Sequence, residues 1–245
     1  MEHKQILPNY KDEYSKSDEW KVFETKHYIF HFFKNSVAEK EISFISETQE
    51  KAYIHIESAL HLASSDKKIQ YYFYPTEVDK EKMMGDDGFA QSIWHDNSVH
   101  AVYGEEDKIL GEHEDTHLLT LSWNDSPVGF FQEGLAEYMR GCIWNKNDAV
   151  PQVKEAVKKN IFLRFENLFS HQFWTEIKGE DCVYYYPLAG YFTKYLFEKF
   201  GLEKYRRFYS SIKREKTAEE NLKIFEEEYG NILLILKDFY LPFDA

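Results

Sequence analysis

The chain has 245 residues and a formal net charge of −13, with 43% hydrophobic and 30% charged residues, so it has the length and apolar content for a soluble core of one large domain or two subdomains. The acidic excess runs throughout, which excludes a nucleic-acid partner, since phosphate binding needs concentrated Lys and Arg. No apolar run reaches the roughly 18–20 residues that cross a bilayer, and so no membrane span is expected.

Other compositional features set expectations. Met1 to Pro8 contains no apolar stretch of the signal-peptide kind, which favours a cytoplasmic location without fixing the compartment. Cys142 and Cys182 are too few for a disulfide framework, lack metal-ligand spacing, and read as free thiols. Twenty Phe and eighteen Tyr serve either a core or an aromatic-lined groove.

Along the chain, Tyr28, Phe30 and Phe32 alternate with His27, Ile29 and His31, the pattern of a strand with one buried face and both histidines on the solvated one. Val37 to Leu62 carries apolar residues at helical spacing, and Lys68 to Tyr74 reads as a second strand. Gly88 to Tyr103 reads as two short strands around a turn at Asp96-Asn97, with His95 and His100 at the surface beside it. A helix is expected from Glu106 to Leu121. After the interruption at Pro127 and Gly129 a second helix follows, and the remainder looks helical. His55, His61 and His171 fall in no pattern, and no repeat or long linker is present.

The chemistry is concentrated in the two central helices. His113-Glu114-Asp115-Thr116-His117 fits H-E-x-x-H. On a helix its two imidazoles lie about 40° apart, one turn from each other, where both can reach one ion. Glu114 is rotated by about 100° from His113, placed to hold a water beside a metal without ligating it. Gln132-Glu133-Gly134-Leu135-Ala136-Glu137 then sets two carboxylates four residues apart. Glu133 is a suitable third ligand that leaves a fourth position open, and Glu137, one turn on, can accept a ligand imidazole's other N–H. Gly134 and Ala136 indicate close packing against another helix.

The pair H-E-x-x-H and E-G-x-A-E-Y resembles the gluzincin metallopeptidases, the peptidase MA-like branch related to thermolysin and the M1 aminopeptidases. The likeness extends to Tyr186-Pro187-Leu188-Ala189-Gly190-Tyr191-Phe192 and to the closing stretch from Ala218 to Leu241, and covers roughly residues 25–245. It implies an α+β, zincin-like fold. An N-terminal mixed-sheet subdomain (1–125) would end in the H-E-x-x-H helix, a helical subdomain (126–245) would follow, and the metal site would lie in the cleft between them. It further implies one zinc ion held by His113, His117 and Glu133, Glu114 as general base, and Glu137 as the partner of His113. Tyr186 would donate to the oxyanion, ahead of Tyr184, Tyr185 and Tyr191. A strand edge within 88–103 would pair with an extended peptide or protein substrate.

The chain departs from the family at two points. The gap of 15 residues between His117 and Glu133 (133 − 117 − 1) is shorter than in archetypal members. Asp115 stands where an apolar residue is usual, which calls for a basic partner or an exposed helix. The expected activity is metal-assisted peptide hydrolysis. The alternatives are a non-catalytic binding or scaffold protein that keeps the fold, and a hydrolase of a non-peptide amide, because such a site specifies water activation and not the acyl group.

Overall fold

The computed structural model describes residues 19–85, 88–144, 146–159, 161, 167–177 and 179–243, so Met1 to Pro8 lie outside the described residues. The fold is mixed α+β and divides into two compact units, one ending at Leu119 and the other beginning at Thr120.

The first unit is built on a five-stranded mixed sheet in the order β1-β2-β3-β5-β4. Its strands are β1 (Trp20–Glu24), β2 (Tyr28–Phe33), β3 (Ile69–Tyr74), β4 (Ala90–Ile93) and β5 (Ser98–Val102). β2, β3 and β5 run parallel, while β1 and β4 are antiparallel edges. The helices are α1 (Val37–Lys40), α2 (Ile42–Ala59), α3 (Glu77–Met84) and α4 (Glu112–Leu119). The long helical expectation from Val37 holds, broken once at Glu41.

Alternation sorts the sheet into two faces. Phe30 pairs with Tyr71 and Tyr71 with Val99, a buried apolar row. From α2, Ile45, Gln49, Ala52, Tyr53 and Ile56 are buried, a stripe near helical period. On the opposite face Tyr72 pairs with His31 on one side and His100 on the other. Its ring lies between theirs, with centroids 4.2 Å and 4.7 Å away and planes within 7°. Lys80 and Met84 of α3 are buried, and Met84 joins Tyr72, Tyr74 and Ile93 in an apolar cluster.

The histidines correct the alternation reading. His27 is buried, paired through Nδ1 with Glu50 Oε2 at 2.6 Å and stacked on Tyr53. His31 is half-buried against Gln70 and Tyr72. His100 has no exposed surface, and its ring nitrogens meet the Tyr74 hydroxyl at 2.9 Å and Ser98 Oγ at 3.0 Å. Both sheet faces carry cover, so alternation does not mark a wet side here. The helix expected from Glu106 also starts later, at Glu112. Lys108 instead bridges to Tyr103 in β-fashion, and Gly111 adopts φ +111°, open to glycine and strained for other residues.

The second unit is almost wholly helical: α5 (Gly129–Met139), α6 (Val150–Lys158), α7 (His171–Glu176), α8 (Cys182–Phe200), α9 (Leu202–Ser211), α10 (Ala218–Tyr229) and α11 (Ile232–Tyr240). A two-residue-per-strand hairpin, β6 (Ile143–Trp144) and β7 (Asn147–Asp148), follows α5. Aromatic residues fill the core. Phe131 packs against Phe208 at 4.8 Å and Phe169 at 5.4 Å, and Phe225 and Phe192 continue the cluster. The aromatic excess is thus largely core.

α5 and α8 approach closely because both carry glycine at the crossing. A Cβ on Gly134 would lie 2.6 Å from the Ala189 carbonyl oxygen and from Thr193 Oγ1, and one on Gly190 would lie 2.7 Å from Glu137 Cβ. The expected close packing around Gly134 is therefore present. Cys142, buried, and Cys182, half-buried, are both free thiols, and burial pushes Cys142 up to about 12.

Candidate metal centre

α4 supplies the histidine pair. His113 and His117 are half-buried on one side of the helix, with ring centroids 5.0 Å apart and planes at 88°. The i, i+4 spacing produces this arrangement directly. Glu114, also half-buried, lies on the adjoining side.

The opposite side of α4 is fixed by Asp115, about 200° around the helix from His113. Its carboxylate is wholly buried. The Tyr28 hydroxyl donates to Asp115 Oδ2, and Gln49 Nε2 donates to the same oxygen at 3.1 Å. Gln49 also brackets the start of the helix: its Oε1 accepts from the Gly111 N–H at 2.7 Å and its Nε2 donates to the Gly111 carbonyl at 3.3 Å. Neither a basic partner nor an exposed helix accounts for Asp115. Its partners are neutral donors, and the helix buries that side. Burial raises the carboxyl to about 8, with the charges of Glu114 and Glu112 adding to the effect and the Tyr28 and Gln49 hydrogen bonds opposing it. Sequence pattern does not reveal Tyr28 and Gln49 as anchors of this helix. The available signal is an acid at an apolar position of α4, which requires a donor somewhere in the sheet layer.

α5 supplies the carboxylates. Glu133 is half-buried, while Glu137 is 2% exposed and accepts from Arg140 Nη2 at 2.7 Å. The same guanidinium nitrogen donates to the Ile143 carbonyl, which ties the end of α5 to the following hairpin.

The four tyrosines singled out in the sequence all lie on α8. Lys159 Nζ donates to the Tyr184 hydroxyl and lies over that ring at 4.2 Å. The Tyr191 hydroxyl donates to Asp148 at 2.6 Å, and Tyr185 packs on Phe173. Tyr186 packs on Trp174 at 5.2 Å, and Trp174 in turn covers Gly129 at the start of α5, where a Cβ would lie 2.3 Å from its ring. Two of the four hydroxyls are thus committed elsewhere, and Tyr186 belongs to the layer over the α5 N-terminus.

Sequence pattern also passes over His171 and Arg214. Arg214 Nη2 donates to Gln132 Oε1 at 3.2 Å, one residue before Glu133. Burial lowers the His171 imidazole to about 4, and the Arg214 charge lowers it further, against the opposing charges of Glu215 and Glu133.

Compared with known proteins, the chain matches no family model and none of the curated proteins. Among the described residues no helix is long and apolar enough to cross a membrane.

Proposed function

We propose that the chain is a zinc-dependent hydrolase with a zincin-like fold, most simply a metallopeptidase of the gluzincin kind, in which His113, His117 and Glu133 hold one zinc ion. The observation that carries the reading is the perpendicular imidazole pair on one side of α4. It is supported by a group of three side chains, His113, His117 and Glu133, each offering one ligand atom of a type zinc accepts. Two nitrogens and one carboxylate oxygen are a catalytic donor set, since a structural zinc site normally uses all four positions. When bound, zinc supplies Lewis acidity for the scissile carbonyl and for a water.

The chain's own groups do the rest. Glu114 takes the proton of the attacking water and returns it to the leaving amine. Tyr186 donates a hydrogen bond to the oxyanion, which strengthens as negative charge grows there. Glu137 accepts from His113 and fixes its tautomer, as carboxylates commonly do for metal-binding histidines. The edge strand β4 receives an extended peptide by backbone pairing.

The test is the metal content of the purified protein, followed by hydrolysis of a mixed peptide library. About one zinc per chain is expected, lost in His117→Ala and strongly weakened in Glu133→Gln. Full zinc retention in both variants would refute this ligand set. Bound zinc without cleavage of any peptide would refute the peptidase assignment while leaving the metal site standing.

A further inference from the structure

Arg214 sits in the connection between α9 and α10, and that connection is held unusually firmly for a loop. Asn124, 4% exposed, donates to the carbonyls of Tyr209 at 2.6 Å and Ile212 at 2.7 Å. Asn221, with no exposure, donates to the Lys213 carbonyl at 2.9 Å and accepts from the Lys213 N–H at 3.0 Å. The Arg214 N–H donates to the Ser126 carbonyl at 2.9 Å. Two buried amides and a backbone bond thus fix residues 209–214, and Arg214 reaches from there to Gln132 of α5.

The guanidinium is half-buried yet forms no ion pair among the described residues. Its one side-chain partner is the neutral Gln132 Oε1, and its Nε is buried without a hydrogen-bond acceptor. Its neighbour Lys213 has a carboxylate at 3.1 Å in Asp125. Burial lowers Arg214 from the usual guanidinium range, against the opposing charges of Glu215, Tyr209, Asp125 and Glu133, none of which forms an ion pair with it among the described residues. Glu133 does not relieve the imbalance if its charge is committed to a metal. A partly dehydrated guanidinium with one neutral hydrogen-bond partner and no carboxylate in direct contact among the described residues suits a planar, bidentate acceptor.

We propose that Arg214 recognises a carboxylate of the bound substrate, either a peptide's C-terminal carboxylate or an acidic side chain. The proposal rests on the metallopeptidase reading for the identity of the substrate, while the recognition itself depends only on residues of the second unit. Arg214 is here a specificity residue and takes no part in the proton transfers of Glu114. Gln132 positions it by holding one Nη in place, and the clamped loop fixes the backbone from which the side chain projects.

The experiment is calorimetric titration of the full chain with three N-acetylated tetrapeptides: tetra-alanine with a free C-terminal carboxylate, its C-terminal amide, and Ala-Ala-Glu-Ala amide. A Glu114→Gln background prevents turnover, and zinc content is measured on each sample. The carboxylate-bearing peptide that fits should bind about tenfold or more tighter than the neutral amide, as hydrogen bonds to a charged group allow. Arg214→Gln should erase the difference with zinc content and circular dichroism unchanged, and Arg214→Lys should retain part of it. Preference for the free terminus identifies the C-terminal carboxylate as the ligand; preference for the glutamyl amide identifies the side chain. If Arg214→Gln does not fold, Gln132→Ala should lower the preference by releasing the guanidinium. Equal binding of all three peptides, no binding, or a preference surviving in Arg214→Gln overturns the proposal. Absence of zinc overturns the metal reading separately, because the same three titrations on zinc-free protein still decide the role of Arg214.

Discussion

The Tyr28 hydroxyl on β2 donates to the buried carboxylate of Asp115 on α4, so the helix that carries both histidines is tied by its far side to the centre of the sheet. Gln49 supplies the second donor to the same oxygen, and Asp115 Oδ1 is buried without a partner. Tyr28→Phe removes one of two donors from a dehydrated carboxyl group. The expected loss is about 1–3 kcal/mol of unfolding free energy, measured by urea denaturation. A change within a few tenths of a kcal/mol would show that the contact does not anchor α4.

A second expectation concerns acid sensitivity through His100. Burial lowers this imidazole well below its ordinary range, and the Lys80 and His31 charges add to the effect. Its ring is enclosed by Tyr72, Tyr74 and Ser98. The unfolded chain takes up the proton near pH 6.5, while the native state resists it. Stability is therefore complete above about pH 6.5 and declines as pH falls from there toward the folded value, by up to about 1.4 kcal/mol per unit for this group. Urea midpoints between pH 8 and 5 would reveal the decline, and an NMR titration would show the His100 ring taking up its proton below the ordinary imidazole range. A His100 signal titrating near 6.5 would contradict this account.

The α+β class, both central β-turn strands and the α5 helix were readable from periodicity and from Pro127 and Gly129, because local backbone chemistry sets them. The H-E-x-x-H pair was readable because its spacing alone places the rings on one side of α4. The positions of His27, His31 and His100 were not. Alternation reports which residues share a face, and whether that face is wet depends on elements remote in sequence: Glu50 and Tyr53 of α2 cover His27, and the buried Lys80 and Met84 of α3 lie on the His100 side. The start of α4 was misplaced by six residues for a similar reason. Gln49, 62 positions before Gly111, provides the bracket at that end, and no local signal at Glu106 opposes a helix. Arg214 and His171 were invisible because their surroundings are assembled from loop geometry, which leaves no period.

The α5–α8 crossing yields a packing prediction. Gly134→Ala would bring a methyl group to 2.6 Å from a backbone carbonyl, where no flexible neighbour can retreat. Overpacking of this kind costs about 1–3 kcal/mol and moves the helices apart. Glu133 precedes Gly134 on the same helix, so zinc affinity should fall together with stability. The check is a melting temperature and a zinc titration on the same variant. Unchanged stability would mean that the crossing is looser than the glycine contacts indicate.

Glu114→Gln separates chemistry from binding. Glu114 is not proposed as a ligand, and it projects from α4 on a side different from the one that Asp115 anchors, so the variant should fold normally and keep its zinc. Glutamine is nearly isosteric but cannot accept the proton of the attacking water. General acid–base assistance contributes roughly 10²–10⁴-fold, and the loss here should lie at the upper end, since the same carboxylate serves both proton transfers. The fall should appear in kcat with KM little changed, because the carboxylate acts in the transition state more than in holding substrate. Tyr186→Phe, by contrast, removes one donor to the oxyanion and should lower kcat by about 10²–10³-fold. Steady-state kinetics on a peptide that the wild type cleaves checks both. Equal turnover by Glu114→Gln and wild type would remove Glu114 from the mechanism. A large loss accompanied by loss of zinc would recast it as a residue that holds the metal.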